Sequence, residues 1–350
     1  MILLLVLLLI LISIAFKIKR TDINLLPVIV VFLILIAGLK NNYTYDFENY
    51  LINFTEINGL NDILATNFEI GYAILVFIFK SCGLGFHTLL LFIAFLSIKM
   101  KWCVIDKYSP LPEVSLLIYF LLFYVFNDLE QIRHGLSVGL CFYSLIYLDD
   151  KESKLNIKFV SLNIVAILFH YSAILFLPFI FVRDHIFKKR IYFAVIAIAI
   201  VLSMINLVDV LNTINTSFLH SSYITSKLEL YSNESSTLIS STLIIKVFIF
   251  SMFYIYAYDS NKKLHRILMN MYFYGIIITL IFNSIPIVVS RSSLYMRYAE
   301  ILMIPIYLNT IPKLSNKKIH STIVIFIFSY YFIKFLQVII VPEYFFYNAI

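Results

Sequence analysis

Thirteen apolar runs follow one another along this chain, at 1–16, 25–39, 69–82, 86–106, 110–126, 130–148, 157–169, 171–183, 191–208, 238–258, 264–284, 297–312 and 319–341. A helical crossing of a bilayer needs about 20 apolar residues, down to about 17. Runs of this kind, repeated from end to end, commit the chain to lipid. With 61% hydrophobic and only 13% charged residues, too little polar surface remains to cover a water-soluble globule, which carries roughly 25% charge. A soluble enzyme, a disordered scaffold and a secreted disulfide module are excluded. The runs are continuous rather than alternating, and eight Gly and eight Pro are too few for the turns of a β-barrel. The expected fold class is therefore all-α, a polytopic transmembrane helix bundle forming a single domain over 1–350. About 12 crossings are expected, plus one re-entrant segment at 69–82, where two apolar pieces meet at Ser81-Cys82-Gly83-Leu84-Gly85; two full crossings there are the alternative and would invert everything downstream. The first run lacks both a preceding basic stretch and a small-residue cleavage site, so it reads as a retained helix. The three cysteines show no metal spacing and no disulfide framework.

The formal net charge of +7 arises from basic residues at the ends of apolar runs. Clusters fall at Lys17, Lys19 and Arg20; at Lys99, Lys101 and Lys107; at Lys151, Lys154 and Lys158; at Arg183, Lys188, Lys189 and Arg190; at Lys262, Lys263 and Arg266; and at Lys313, Lys317 and Lys318. Short cytoplasmic loops carry such residues. Placing all six inside gives a consistent alternation, makes the positives topology anchors rather than a nucleic-acid surface, and puts 40–68, 127–130, the region around 170, 209–237, 285–296 and the C-terminal tail on the outer face.

Those outer segments hold the polar residues that are costly near lipid. Asp46, Glu48, Glu56 and Asp62 lie in the first, and Glu69 directly after it. The stretch Asn127-Asp128-Leu129-Glu130-Gln131-Ile132-Arg133 runs into an apolar helix and places Arg133 about one turn inside it. Such a group is a functional candidate by default, although an arginine can also snorkel to headgroups or pair with a carboxylate. Glu130 and Arg133, at i and i+3, are expected on one helical face with Gln131 beside them. His170 interrupts the apolar stretch 157–182 within Phe169-His170-Tyr171-Ser172; two half-helices meeting at a polar break can line a cavity. Arg291 and Arg297 place guanidiniums on the outer side, where an anion such as phosphate would suit them; headgroup binding is the plainer alternative. Tyr223, with the Asn and Tyr residues of 209–237, offers weaker contacts for sugar rings.

In order along the chain, Asp46-Phe47-Glu48-Asn49-Tyr50, Glu69-Ile70-Gly71-Tyr72, Gln131-Ile132-Arg133-His134-Gly135-Leu136 and Phe169-His170-Tyr171-Ser172-Ala173 resemble the landmarks of the EpsG family of polysaccharide polymerase-like (Wzy-like) membrane proteins. A late Arg before an apolar helix matches Arg291 or Arg297 loosely. Two features depart from the family pattern. Thr44-Tyr45-Asp46 stands where the family often has Gly-Thr-Asp, and Lys40 stands where it has Arg. The resemblance implies a GT-C-like glycosyltransferase of the bacterial cytoplasmic membrane that polymerises undecaprenyl-pyrophosphate-linked oligosaccharide repeat units at the outer face. The product would be an exopolysaccharide, capsule or O-antigen. Membrane lipid, a flippase and a chain-length regulator would be its partners, and no nucleic acid.

Within that reading His170, with an ordinary pKa of about 6.5, is the expected general base, and Asp46 or Glu69 the next choice. Arg133, with Arg291 or Arg297, would stabilise charge on the leaving pyrophosphate. Gln131, Glu130, Tyr50, Tyr72, Tyr171 and Tyr223 would contact substrate. No metal set, nucleotide fingerprint or phosphate loop occurs, so neither metal nor cofactor is expected. Two other reaction classes fit the same chain: a flippase for the same lipid-linked unit, and a glycan ligase or acyltransferase.

Overall fold

A computed structural model of the chain describes residues 25–41, 46–148, 156–219 and 241–340, together with residues 8 and 10–12. Most of the first apolar run, Tyr223 with most of 209–237, and the C-terminal tail fall outside these residues. Every regular element among the described residues is helical. The chain resolves into two compact units, one built from 1–177 with 300–349 and the other from 178–299.

The first unit opens with α1 (Leu26–Gly38), α2 (Phe47–Glu56), α3 (Leu60–Ala65) and α4 (Ile70–Ser81). The chain then turns through Gly83, whose φ of 71° is the left-handed conformation that glycine adopts without a Cβ penalty. α5 (Phe86–Tyr108) follows, then α6 (Pro112–Tyr119), which starts on a proline at the one helical turn that tolerates it. α6 continues without interruption into an 11-residue π-helix, Phe120–Glu130. After a single non-helical residue, Gln131, come α7 (Ile132–Leu148) and α8 (Ile157–Phe169), and then a short 3₁₀ turn at Tyr171–Phe176. The second unit holds α9 (Phe179–Val182), α10 (Lys189–Ser203), α11 (Leu207–Ile214), α12 (Ser241–Tyr256), α13 (Lys263–Ile281) and α14 (Pro286–Arg297). The chain closes within the first unit through α15 (Glu300–Thr310) and α16 (Lys317–Ile340).

Among the described residues, four stretches are long and apolar enough to cross a bilayer: α5, α6 with its π extension, α13 and α16. A fifth arises if α10 and the segment Leu207–Ser217, bent by 61° from it, form one span. The other apolar helices, among them α1, α4, α7, α8 and α12, are 10–17 residues long. At 1.5 Å per residue each is shorter than the roughly 30 Å hydrocarbon core. The protein is an all-helical integral membrane protein in which full-length spans stand beside shorter apolar helices. α4, the segment expected to be re-entrant, has 12 residues. Among the outer segments expected as loops, 40–68 includes α2 and α3, and 285–296 lies almost wholly in α14.

Lys101, which the charge pattern assigns to a cytoplasmic loop cluster, lies inside α5 and is wholly buried. Its ammonium meets both carboxylate oxygens of Asp128 at 2.7 and 2.8 Å and donates to Ser97 Oγ at 2.9 Å. Ser97 and Tyr119 hydroxyls donate to the same carboxylate, each at 2.6 Å. A charge this deep is tolerable only when paired and fully hydrogen-bonded. The Asp128 partner sits in the π segment, out of view of any rule based on loop charge.

Candidate active site

α2 is amphipathic. Asp46, at its N-cap, and Asn49, Tyr50, Asn53 and Glu56 recur at helical spacing and line one side of a cavity of about 330 Å³. Ile52, Phe68 and Arg133 complete the lining. Phe47 and Phe54 point elsewhere and pack on Phe86 at the start of α5, with ring centroids 5.4 and 5.5 Å away. Lys80, in the last turn of α4, donates to the Phe54 and Thr55 carbonyls and to Asn58 Oδ1 at 2.6–3.0 Å. This cation satisfies carbonyls left open at the C-terminal end of α2 and fixes the helix over the cavity. Asp62 takes no part in the lining. Backbone N–H groups of Asn58 and Gly59, each 2.8 Å from its Oδ2, hold its carboxyl below the usual range.

Arg133 enters the cavity from the first turn of α7. Its guanidinium forms an ion pair with Glu69, the residue that precedes α4. It also lies 4.2 Å from the Phe68 ring centroid, 5.6 Å from Tyr50 and 6.0 Å from Tyr72, within cation–π range of all three. Tyr50 and Tyr72 are themselves 5.6 Å apart. Burial pushes the Tyr50 phenol up, against the pull of Arg133. Glu130 and Arg133, expected on one helical face, do not share one. The helix ends at Glu130, Gln131 adopts φ −93° and ψ 66°, and Arg133 belongs to a new helix and pairs with Glu69. Lys40 donates to the Leu129 carbonyl at this break. Burial brings its ammonium down to about 8, while Glu130, Asp46 and Asp128 pull the other way.

Two motif glycines make this arrangement possible. A Cβ on Gly71 would sit 2.6 Å from the Leu168 carbonyl oxygen, and one on Gly135 would overlap the Asn127 carbonyl oxygen. The first lets α4, which follows Glu69, press against the end of α8. The second lets α7 leave the π segment at close quarters. In both cases the obstacle is backbone, which cannot rotate aside. Gly71→Ala and Gly135→Ala should each cost about 1–3 kcal/mol through overpacking, measured as a lower melting temperature in detergent. Gly59→Ala should cost less, since its added Cβ comes no nearer than 3.8 Å to another atom.

The break at His170 forms as expected: α8 stops at Phe169, His170 is extended, and a 3₁₀ turn follows. His170 is buried, its Nδ1 lies 2.6 Å from Ser172 Oγ, and its ring lies 4.5 Å from that of His134. Neither histidine lines the cavity. Tyr171 is 64% exposed. The structure thus brings Asp46, Tyr50, Glu69, Tyr72 and Arg133 together and adds Asn49, Asn53, Glu56 and Phe68. For α2 the available signal is the 46-49-50-53-56 spacing of polar residues on one helical face. Phe68, in the turn before Glu69, has none. In the second unit Arg297 is buried and Arg291 exposed.

Comparison with known proteins agrees with the landmarks. The EpsG family model matches residues 23–348. The amylovoran biosynthesis protein AmsC of Erwinia amylovora is 26% identical over 171 residues, an alignment covering 46% of this chain and 46% of AmsC. The match therefore spans about half the length of that relative. No solved structure matches the chain.

Proposed function

Because the chain belongs to the EpsG family, we propose that it is a glycosyltransferase polymerising lipid-linked oligosaccharide repeat units at the outer face of the bacterial cytoplasmic membrane. The product is a surface polysaccharide. The observation that carries the reading is the α2 cavity. It combines carboxylates, side-chain amides, aromatic rings and one guanidinium, the groups that hold and deprotonate a sugar hydroxyl, within a chain embedded in lipid. The similarity to a protein named for amylovoran biosynthesis supports the same pathway class.

In the proposed reaction an acceptor hydroxyl oxygen attacks the anomeric carbon of the donor. The bond from that carbon to the pyrophosphate oxygen breaks, and its electron pair leaves with the undecaprenyl pyrophosphate. The hydroxyl proton passes to a carboxylate. Asp46 lines the cavity and Glu69 is engaged by Arg133, so Asp46 is the better-placed base. His170 lies outside the lining, which makes it a positioning residue at the end of α8. Asp46→Asn should therefore lower kcat by about 10²–10⁴, the usual worth of a general base, and His170→Ala by far less. The reverse order would return the base to His170.

The side of the membrane is open to direct test. In a background lacking Cys82, Cys103 and Cys141, Asn61→Cys should react with an impermeant thiol reagent added outside intact spheroplasts, whereas Lys107→Cys, at the far end of α5, should not. Labelling of Lys107→Cys alone would invert the orientation and remove the outer-face reading. Deletion supplies the cellular test. Without a polymerase, single units still reach the outer face and only the long ladder disappears. Units held solely in the cytoplasmic leaflet would assign the chain to transport instead.

A further inference from the structure

The α2 cavity has a hydrogen-bond character that decides between the two parts of a lipid-linked substrate. Asn53 is 3% exposed. Its Nδ2 donates to Thr66 Oγ1 at 2.6 Å, which turns the amide and leaves Oδ1 buried with no donor. A buried acceptor without a donor costs about 1–3 kcal/mol, and Arg133 Nε, on another lining residue, is a buried donor without an acceptor, so the site asks for a ligand that both donates and accepts, as a hydroxyl does. The carboxylates of Asp46 and Glu56, in the same lining, are acceptors only when ionised. The cation in the lining, Arg133, is already paired with Glu69 and covered by Phe68. The lining thus carries two carboxylates against one guanidinium whose charge is met elsewhere. Pyrophosphate brings negative charge and acceptor oxygens and would be repelled. A sugar brings hydroxyl donors, and its apolar ring face can lie against Tyr50 and Phe68, whose centroids are 5.8 Å apart. At about 330 Å³ the space is at the small end of ligand pockets, which run from about 300 to 1,000 Å³.

We propose that this cavity is a saccharide subsite, binding the hydroxyl-bearing sugar of the acceptor and rejecting pyrophosphate and acidic sugars. The word acceptor rests on the glycosyl-transfer reading above; the preference for a neutral, donor-rich sugar rests on the cavity alone.

The test is protection of a reporter cysteine, which needs no turnover. Asn49 is exposed and lines the cavity, so Asn49→Cys in the cysteine-free, full-length protein in nanodiscs reports occupancy through its rate of thiol labelling. The probes are neutral oligosaccharides from partial acid hydrolysis of the host's own surface polysaccharide, the acidic oligosaccharides of the same digest, inorganic pyrophosphate and undecaprenyl pyrophosphate. The neutral fraction should slow labelling and the other three should not. Adding Asn53→Leu should weaken that protection about tenfold, the size of one buried hydrogen bond. Adding Glu56→Lys, at an exposed position that should not disturb folding, should abolish carbohydrate protection and admit inorganic pyrophosphate. Protection of the parent protein by either pyrophosphate, or by no probe at all, would overturn the proposal. The outcome separates from that of the polymerase reading. Carbohydrate protection in a protein that builds no polymer would sink the reading and leave the subsite. Polymer formation with protection by pyrophosphate would do the opposite.

Discussion

Asp128→Ala should destabilise the protein by about 3–5 kcal/mol, the usual cost of removing one partner from a buried ion pair. Lys101 would be left wholly buried in α5 with its charge unmatched, and the Tyr119 and Ser97 hydroxyls would lose the carboxylate to which they donate. Lys101→Met should be comparably harmful for the mirror-image reason. The triple variant Lys101→Met/Asp128→Leu/Tyr119→Phe, which removes both charges and one hydroxyl together, should recover most of the loss, because well-packed apolar groups commonly replace such pairs at little cost. Reversible unfolding in mixed micelles gives the three values. Near-wild-type stability of Asp128→Ala would show that the carboxylate does not hold the π segment to α5.

The second large effect concerns Arg133. Its guanidinium combines an ion pair to Glu69 with stacking on Phe68. Arg133→Ala should lower kcat/KM about 10²-fold, the usual cost of misplacing a bound reactant, because the guanidinium holds Glu69 and Phe68 in place at the wall of the acceptor cavity. Arg133→Lys should recover little, since an ammonium supplies neither the planar face nor the fork. The charge swap Glu69→Arg/Arg133→Glu should restore abundance without activity, because the cation then no longer projects from α7. Full activity of the swapped protein would reduce the pair to a structural tie. Arg291 and Arg297 should separate by burial: Arg297→Ala should lower abundance, whereas Arg291→Ala, at an exposed position, should leave abundance unchanged.

Much of the site is legible in the sequence because the relevant residues break a strong apolar background. Glu69 and Arg133 stand out against the runs they enter, and His170 marks a helix end that the fold keeps. What connects them is hidden. Helical spacing places Glu130 beside Arg133, but that spacing holds only within one helix, and the backbone changes at Gln131 after eleven residues of π geometry. No pattern of residue types announces a π segment, so the approach of Arg133 to Glu69 is out of reach of spacing arguments. Lys101 shows the same limit from the other side. A lysine among neighbouring basic residues reads as part of a loop, and only the fold reveals Asp128 across from it. The cavity face of α2 is legible in principle, since positions 46, 49, 50, 53 and 56 repeat at helical spacing. The count of crossings is the least legible feature, because apolar content reports contact with lipid or protein but not how deep a short helix reaches.

The most direct measurement is incubation of the purified full-length protein, in proteoliposomes, with a lipid-linked repeat unit extracted from cells lacking it, followed by gel analysis of the glycan and by the sidedness of the unit. The account predicts a ladder of products spaced by one repeat, with release of undecaprenyl pyrophosphate, abolished by Asp46→Asn and Arg133→Ala. Movement of unextended single units from one leaflet to the other, with no ladder, would contradict it.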